Sequence, residues 1–211
     1  MPALSIVQQP VYGLPFPGRQ STPAPLAFQT WTFFSPGTQT IGTPNPGDAM
    51  LVFVAGNQYD CTAVSGLGAT WTKIGGGGVY GGNYATASAW VGVVGAAPSN
   101  QLTLTCNGSN QQYFSVYRMR GQGILAASTA VGGNVASESI QINSLYASAL
   151  VYYFTRGGTL SIAEAGWTVL VNGGNGTGVA MIAWNGSPPG AVQATITGRT
   201  DNAVEILAAL R

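Results

Sequence analysis

The stretch GWTVLVNGGNGTGVAMIAWNG, residues 166–186, decides how this chain is interpreted, because an earlier stretch has the same order of residue types. Residues 69–92, ATWTKIGGGGVYGGNYATASAWVG, also run from Trp-Thr through an apolar pair and a glycine-rich segment to an apolar run. Both runs end in Trp, one further residue and Gly. Apolar and β-branched runs separated by Gly and Asn are typical of strands joined by a turn. Each copy therefore predicts a strand–turn–strand module.

The match continues on both sides of the two modules. Five pairs of anchors keep their order, and the spacing between partners shortens steadily along the chain. They are LVFV (51–54) with LVYY (150–153), Trp71 with Trp167, Trp90 with Trp184, TLT (103–105) with TIT (195–197), and FSVYRMRG from Phe114 with VEILAALR from Val204. Ordered anchors with shortening loops predict an internal duplication.

The remaining runs also indicate strands. LTLTC (102–106) and VQATIT (192–197) alternate between apolar and polar residues, which predicts one buried and one solvent-exposed face. No window of 11 or more residues has a convincing helical period. The last run, AVEILAAL (203–210), has a helix-like composition, but its counterpart in the first half is strand-like, so we expect a strand. The sequence predicts an all-β protein.

We expect one internally duplicated β-sandwich or jelly-roll-like domain over residues 47–211. Its halves, 47–121 and 139–211, would each supply about five strands and cover each other as two layers. The alternative is two separate small domains. The linker, 121–138, is not a hydrophilic hinge, which favours the single domain.

Residues 1–46 predict an extended proline-rich arm. Nine of the twelve prolines lie there, and proline favours extended chain without backbone donors. Apolar side chains at Val11, Tyr12, Leu14 and Phe16 need a surface to pack on. That surface is either the arm's own domain or a neighbouring subunit, and we predict these four as partner-binding residues.

Composition excludes several kinds of site. The chain has no histidine, so Ser-His-Asp and Cys-His catalytic sites and Cys/His zinc sites are excluded. Asp48 follows Pro-Gly and is predicted as a turn residue, whereas Asp60 and Glu164 do not occupy equivalent repeat positions, so nothing pairs them. Lys73 is predicted as a solvated lysine at a strand edge. We therefore expect no enzyme, with no catalytic residues, no cofactor and no metal.

Charge and targeting signals limit the partners. Charged residues make up 6% of the chain and the net charge is +1, which predicts no nucleic-acid binding. So little charge favours a surface covered by partner subunits. No apolar run approaches the roughly 18–20 residues needed to span a bilayer. The N-terminal sequence lacks secretory-signal features, so we expect synthesis in the cytoplasm.

Two cysteines, Cys61 and Cys106, allow one disulfide without requiring it. Cys106 ends an alternating run on the same face as Leu102 and Leu104, which favours a buried thiol. A bridge between the two cysteines remains the alternative.

One loop has no counterpart in the other half. The stretch GGGGVYGGNY (75–84) is predicted as a flexible hairpin tip and carries Tyr80 and Tyr84, whereas 173–178 has no aromatic residue. We predict these two tyrosines as a contact with a partner subunit or a glycan. The four tryptophans of the repeat are expected in the core because their places recur, and sugar stacking is the alternative for them.

Taken together, these strand and turn patterns resemble a β-sandwich family common in tailed bacteriophages. The segments that carry the resemblance are PGDAMLVFVAG, WTKIG, ASAWVGVVG, LTLTC and VYRMRG in the first half, and ALVYYF, AGWTVLVNGGNGTGVAMIAW, AVQATITG and ILAALR in the second. The resemblance covers about residues 46–211. It implies a virion structural protein, such as a minor tail or tail-fibre-like protein, in a trimeric or similar symmetric assembly with itself and other virion proteins. A head decoration protein and a lectin-like module that binds host-surface glycans are the alternatives.

Overall fold

In a computed structural model of the full chain, the described residues are 28–29, 36–56, 61–79, 85–107, 112–119, 124–132, 137–144, 148–155, 158–174, 179–185, 190–199 and 203–210. All regular secondary structure within these ranges is strand, so the all-β prediction is confirmed. The strands of the first half are β1 (Phe28–Gln29), β2 (Gly37–Thr40), β3 (Ala49–Gly56), β4 (Cys61–Gly66), β5 (Ala69–Val79), β6 (Ala85–Val94), β7 (Gln101–Cys106) and β8 (Gln112–Met119). Those of the second half are β9 (Ile124–Gly132), β10 (Ser137–Ser144), β11 (Ser148–Thr155), β12 (Gly158–Ile162), β13 (Trp167–Gly174), β14 (Val179–Asn185), β15 (Gly190–Arg199) and β16 (Ala203–Leu210).

The strands form four antiparallel sheets, two from each half. The first half has a five-stranded sheet in the order β1-β8-β3-β6-β5 and a three-stranded sheet in the order β2-β7-β4. The second half has a five-stranded sheet in the order β9-β16-β11-β14-β13 and a three-stranded sheet in the order β10-β15-β12. The second order is the first with every strand number raised by eight. The run 203–210 is a strand, β16, as the sequence predicts.

Local irregularities recur at matching places. The pairing of β5 with β6 shifts register between Lys73 and Gly75, and the pairing of β13 with β14 shifts between Val169 and Val171. These shifts follow Trp71 and Trp167 at the same distance. A bulge bends its strand and increases the local twist, so the two edge strands β5 and β13 depart from their partners in the same way.

Each half encloses a core between its two sheets. In the first half, Val52 and Val54 of β3 belong to one buried cluster with Val64 of β4 and with Leu102 and Leu104 of β7. In the second half, the corresponding buried cluster joins β11 and β14 to β10, β12 and β15; it contains Ile140, Ala149, Val151, Tyr153, Leu160, Met181, Ala183, Val192, Ala194 and Ile196. The alternating residues of β7 and β15 supply the apolar face, as their sequence predicts.

The central strands β3 and β11 are buried on both faces. Leu51 and Phe53 alternate with the core-facing valines of β3, and both are fully buried. Leu150 and Tyr152 do the same on β11, and the rings of Phe53 and Tyr152 stack with centroids 4.6 Å apart. The five-stranded sheets of the two halves therefore face each other, and β5 also lies against β9.

The molecule thus has four layers, whereas two were expected. Each half has its own core, and the halves meet through a further contact between the five-stranded sheets, which we call the inner sheets. The three-stranded sheets lie outside them and are called the outer sheets. The physical reason is the continuous apolar sequence of β3 and β11, since a strand that is apolar on both faces must be covered on both.

The boundaries of the parts differ from those expected. Residues 37–40 of the predicted arm form β2, and Ile41 is buried in the first core. The predicted linker, 121–138, contains β9 and the start of β10. The arm residues Val11, Tyr12, Leu14 and Phe16 lie outside the described residues, as do Tyr80 and Tyr84.

Candidate interaction surfaces

The hairpin of β5 and β6 carries the loop that the sequence singled out. Val79 and Ala85 are its last paired residues, and Tyr80 and Tyr84 lie between them in the sequence, outside the described residues. The glycines at 75–78 are not part of a flexible tip as predicted; they belong to β5 and pair with residues 86–89. A glycine strand lets another backbone approach closely, and here the inner-sheet strand β9 of the other half lies against β5.

Lys73 lies on β5 directly opposite Trp90 of β6. Its Nζ is 5.7 Å from the centroid of the Trp90 ring, which is the geometry of a cation–π contact. Trp90 is 9% exposed and its Nε1 donates to the Oγ of Ser88 at 3.2 Å. Lys73 is exposed at a sheet edge, as expected, but its charged end is held over a core tryptophan. The spacing of the two residues gave no sign of this contact, because it depends on strand register.

The repeat pairs Trp90 with Trp184, and the registers show that this pairing is shifted by one residue. Leu51 of β3 lies opposite Val91, whereas its counterpart Leu150 of β11 lies opposite Trp184. A shift by one residue moves a side chain to the other face of its strand. Trp90 therefore belongs to the first core, whereas the half-buried Trp184 is on the face that its sheet turns toward the other half.

Trp71 and Trp167 occupy matching positions and close the ends of the two cores. Both are half-buried and packed against the core clusters, as expected for residues that recur in the repeat. Trp71 covers Gly92, where a Cβ would lie 2.8 Å from the indole ring. Its Nε1 donates to the carbonyl oxygen of Gly66 at 3.1 Å, and Nε1 of Trp167 donates to that of Gln193 at 3.0 Å. Each indole is therefore tied to its own half by a hydrogen bond to a backbone carbonyl.

The exposed faces of the outer sheets are lined by hydroxyl and amide side chains. In the first half, the hydroxyl oxygens of Thr38 and Thr103 are 2.9 Å apart. At the matching place in the second half, those of Ser139 and Thr195 are 2.6 Å apart. We call these surfaces the outer polar faces; their described members are Thr38, Thr40, Thr62, Ser65, Gln101, Thr103 and Thr105 in the first half and Ser137, Ser139, Gln141, Ser161, Gln193, Thr195 and Thr197 in the second.

The hydrogen bonds on these faces run between strands. Gln141 Nε2 donates to Gln193 Oε1 at 2.6 Å, and the hydroxyl oxygens of Ser161 and Thr197 are 2.7 Å apart. In the second half, the Glu164 carboxylate also bonds to Gln193 and Thr195, so that face carries a negative charge among its hydroxyl and amide groups. The strict alternation of LTLTC and VQATIT predicted a wet face, but the pairing of its hydroxyls follows only from the strand register.

Glu164 lies in the turn between β12 and β13 and holds that turn to β15. Its Oε2 accepts from the backbone N–H of Thr195 at 2.7 Å, and its Oε1 accepts from the Thr195 hydroxyl and from Gln193 Nε2. Partial burial acts to raise the pKa of this carboxyl, but the hydrogen bonds from Thr195 and Gln193 outweigh it, so the pKa lies below its usual value. The Glu164 carboxylate therefore has a structural role, because its oxygens accept hydrogen bonds from β15.

Asp48 has the turn role that its Pro-Gly context predicted. The carboxylate is buried and its Oδ2 accepts from the backbone N–H of Asn45 at 2.7 Å. This closes the turn that leads into β3. Asp60, the other carboxylate considered in the sequence, lies outside the described residues.

The described ranges contain no group of three His, Cys, Asp or Glu side chains that could hold a metal ion. They also contain no helix long and apolar enough to cross a membrane. Cys61 and Cys106 are present as thiols and lie directly opposite each other on β4 and β7. The sequence could not reveal this pairing, because two complete strands, β5 and β6, lie between β4 and β7 in the chain.

Comparison of the chain with protein-family models, with curated proteins and with solved structures found no match.

Proposed function

We propose that this chain is a non-enzymatic structural component of a tailed-bacteriophage particle, specifically a minor tail or tail-fibre-like protein. It would be made in the host cytoplasm and built into the virion beside copies of itself and other virion proteins. The pattern of strands and turns over residues 46–211 supports this role. We further infer that the two halves are copies of one β-sandwich unit, which the matching strand orders support.

The outer polar faces are the observation that carries the proposal. Their hydroxyl and amide groups already bond to one another, as Thr38 and Thr103 do, so covering them with a partner leaves few groups unsatisfied. A charged face would instead pay for desolvation of each ion. Because the outer sheets form the two outermost layers, one molecule offers a similar surface of hydroxyl and amide groups on two sides. Such a molecule is suited to permanent contacts in a symmetric assembly.

A charge placed on an outer polar face tests this role. Thr38→Lys puts an ammonium on the face of the first half, and Thr43→Lys puts the same group on an exposed loop before β3. We expect native mass spectrometry to show a homo-oligomer, with a trimer as our expectation, for the unaltered chain and for Thr43→Lys. Thr38→Lys should shift the equilibrium from oligomer to monomer, while the circular dichroism spectrum, and so the fold, stays unchanged. A chain that is monomeric at every concentration would overturn the assembly role.

The arm is proposed to dock on a neighbour or on the particle through Val11, Tyr12, Leu14 and Phe16. A deletion that tests this should stop at residue 20, because Phe28 already pairs with Tyr117 of β8. We expect the chain without residues 2–20 to fold but to be missing from purified particles. Normal incorporation of this deletion would contradict docking through the arm.

A head decoration protein differs from a tail protein in where it sits, so labelling of particles viewed in the electron microscope separates the two. A lectin-like module is the candidate from another class, favoured by Tyr80 and Tyr84 in a glycine-rich segment whose counterpart, 173–178, has no aromatic residue. It requires that Tyr80→Ala or Tyr84→Ala abolish binding to a host glycan while assembly persists. A glycan array without any binding would remove that candidate.

A further inference from the structure

Cys61 and Cys106 are cross-strand neighbours. Cys61 is the first residue of β4, Cys106 is the last of β7, and the two are direct partners in the register of the outer sheet. Residues directly opposite each other in an antiparallel pair have Cα atoms about 4.5–5.5 Å apart, on the same face. Disulfides need Cα atoms about 4.4–6.8 Å apart. The pairing of Cys61 with Cys106, next to a register shift between Cys61 and Ala63, therefore suits a bridge between the two strands.

The two thiols differ in access. Cys61 is fully buried in the first core, and its Sγ donates to the carbonyl oxygen of Ala63 at 3.3 Å. Cys106 is half-buried and packs against the edge of the same core. A soluble disulfide can therefore reach Cys106 first, whereas Cys61 can be reached only from within the protein. This is the usual division between an attacking and a resolving cysteine.

The second half lacks this arrangement. The position on β15 that matches Cys106 is Gly198, which has a φ of +84°, and a Cβ there would collide with the carbonyl oxygen of Thr159. The strand pair β12–β15 therefore cannot carry a side chain at that position, and the cysteine pair is a feature of the first half alone.

We propose that Cys61 and Cys106 form a redox-controlled disulfide that locks β4 to β7 when the protein meets a small-molecule disulfide such as oxidised glutathione. The Cys106 thiolate attacks one sulfur of glutathione disulfide, which forms a mixed disulfide and releases one glutathione as the thiol. The Cys61 thiolate then attacks the Cys106 sulfur and releases the second glutathione. Two protein thiols are oxidised to one disulfide, and one glutathione disulfide is reduced to two glutathiones. This inference does not depend on the proposed function.

The test uses the full reduced chain in glutathione buffers of rising oxidised fraction, followed by alkylation and peptide mass spectrometry. We expect both thiols to disappear together, with an intramolecular link between the peptides that contain Cys61 and Cys106. The bridge closes a long loop, so oxidation should raise the melting temperature by roughly 5–10 °C. Cys61→Ala should stop at a glutathione adduct on Cys106, and Cys106→Ser should leave Cys61 unmodified. The proposal would be overturned if both cysteines of the unaltered chain are still alkylated after incubation in the most oxidising buffer. A stable glutathione adduct on Cys106 of the unaltered chain would also overturn it.

Discussion

Phe53 and Tyr152 stack face to face, with ring planes 9° apart, and they hold equivalent positions in the two halves of the chain. Phe53 is the third residue of LVFV on β3, and Tyr152 is the third residue of LVYY on β11. The stack is one of the contacts between the inner sheets, together with those of β5 with β9 and β16 and of β6 with β11 and β16.

Removing one ring of this pair should weaken the contact between the halves. Phe53→Ala deletes a fully buried aromatic side chain, and we expect a loss of about 3–5 kcal/mol in the free energy of unfolding. Phe53→Tyr keeps a ring for stacking and should cost less. Urea unfolding followed by circular dichroism measures both variants, and equal losses in the two would show that the stack contributes nothing specific.

Gly92 should not tolerate even a methyl group. Its Cβ would lie 2.8 Å from the Trp71 ring, so Gly92→Ala must displace the indole at a cost of about 1–3 kcal/mol. Gly173→Ala is the matched control, because this strand glycine of the second half has open space around its Cβ position. Tryptophan fluorescence and urea unfolding should both change in Gly92→Ala and stay nearly constant in Gly173→Ala. If Gly92→Ala leaves the stability unchanged, the Trp71 ring does not lie over Gly92.

The cation–π contact predicts a difference between two conservative replacements. Lys73→Met keeps the length and apolar stem of the side chain but removes the charge, and we expect a loss of about 0.5–1 kcal/mol. Lys73→Arg retains a cation for the Trp90 ring and should stay close to the unaltered protein. Thermal unfolding and the emission of Trp90 report the difference. If both variants have the same stability, Lys73 contributes only packing.

Glu164 should make stability depend on pH in the acid range. Its pKa in the folded protein lies below the ordinary value of 4.5, so its stabilising effect is complete above the unfolded pKa and is lost as the pH falls through the folded pKa. Glu164→Gln should therefore be less stable than the unaltered chain at pH 7, with the difference shrinking below about pH 4.5. Urea unfolding at several pH values measures this difference, and a constant value across the range would show that ionisation is irrelevant to the turn.

Much of the fold could be predicted from the sequence because its signals are local. Alternation in LTLTC and VQATIT marked strands with one solvent-exposed face. The recurrence of Trp71 at Trp167 marked two core residues, which the structure places against two separate cores. The run 203–210 was assigned correctly only through its counterpart, since its composition alone suits a helix. The glycines of β5 were misread as a loop because glycine is common in turns, whereas here they pair with residues 86–89 of β6.

The sequence by itself determined that the chain is all-β, that its second half has the residue pattern of the first, and that histidine chemistry is absent. These properties depend on residue type and spacing, which a chain carries without folding. The tertiary structure decided which residues meet. It placed Phe53 on Tyr152, Lys73 over Trp90 and Cys61 opposite Cys106, and it separated Trp90 from Trp184 by face. Each of these contacts depends on strand register. A register shift of one residue cannot be seen in an alignment of the two repeats, but it moves a side chain to the other face of its sheet.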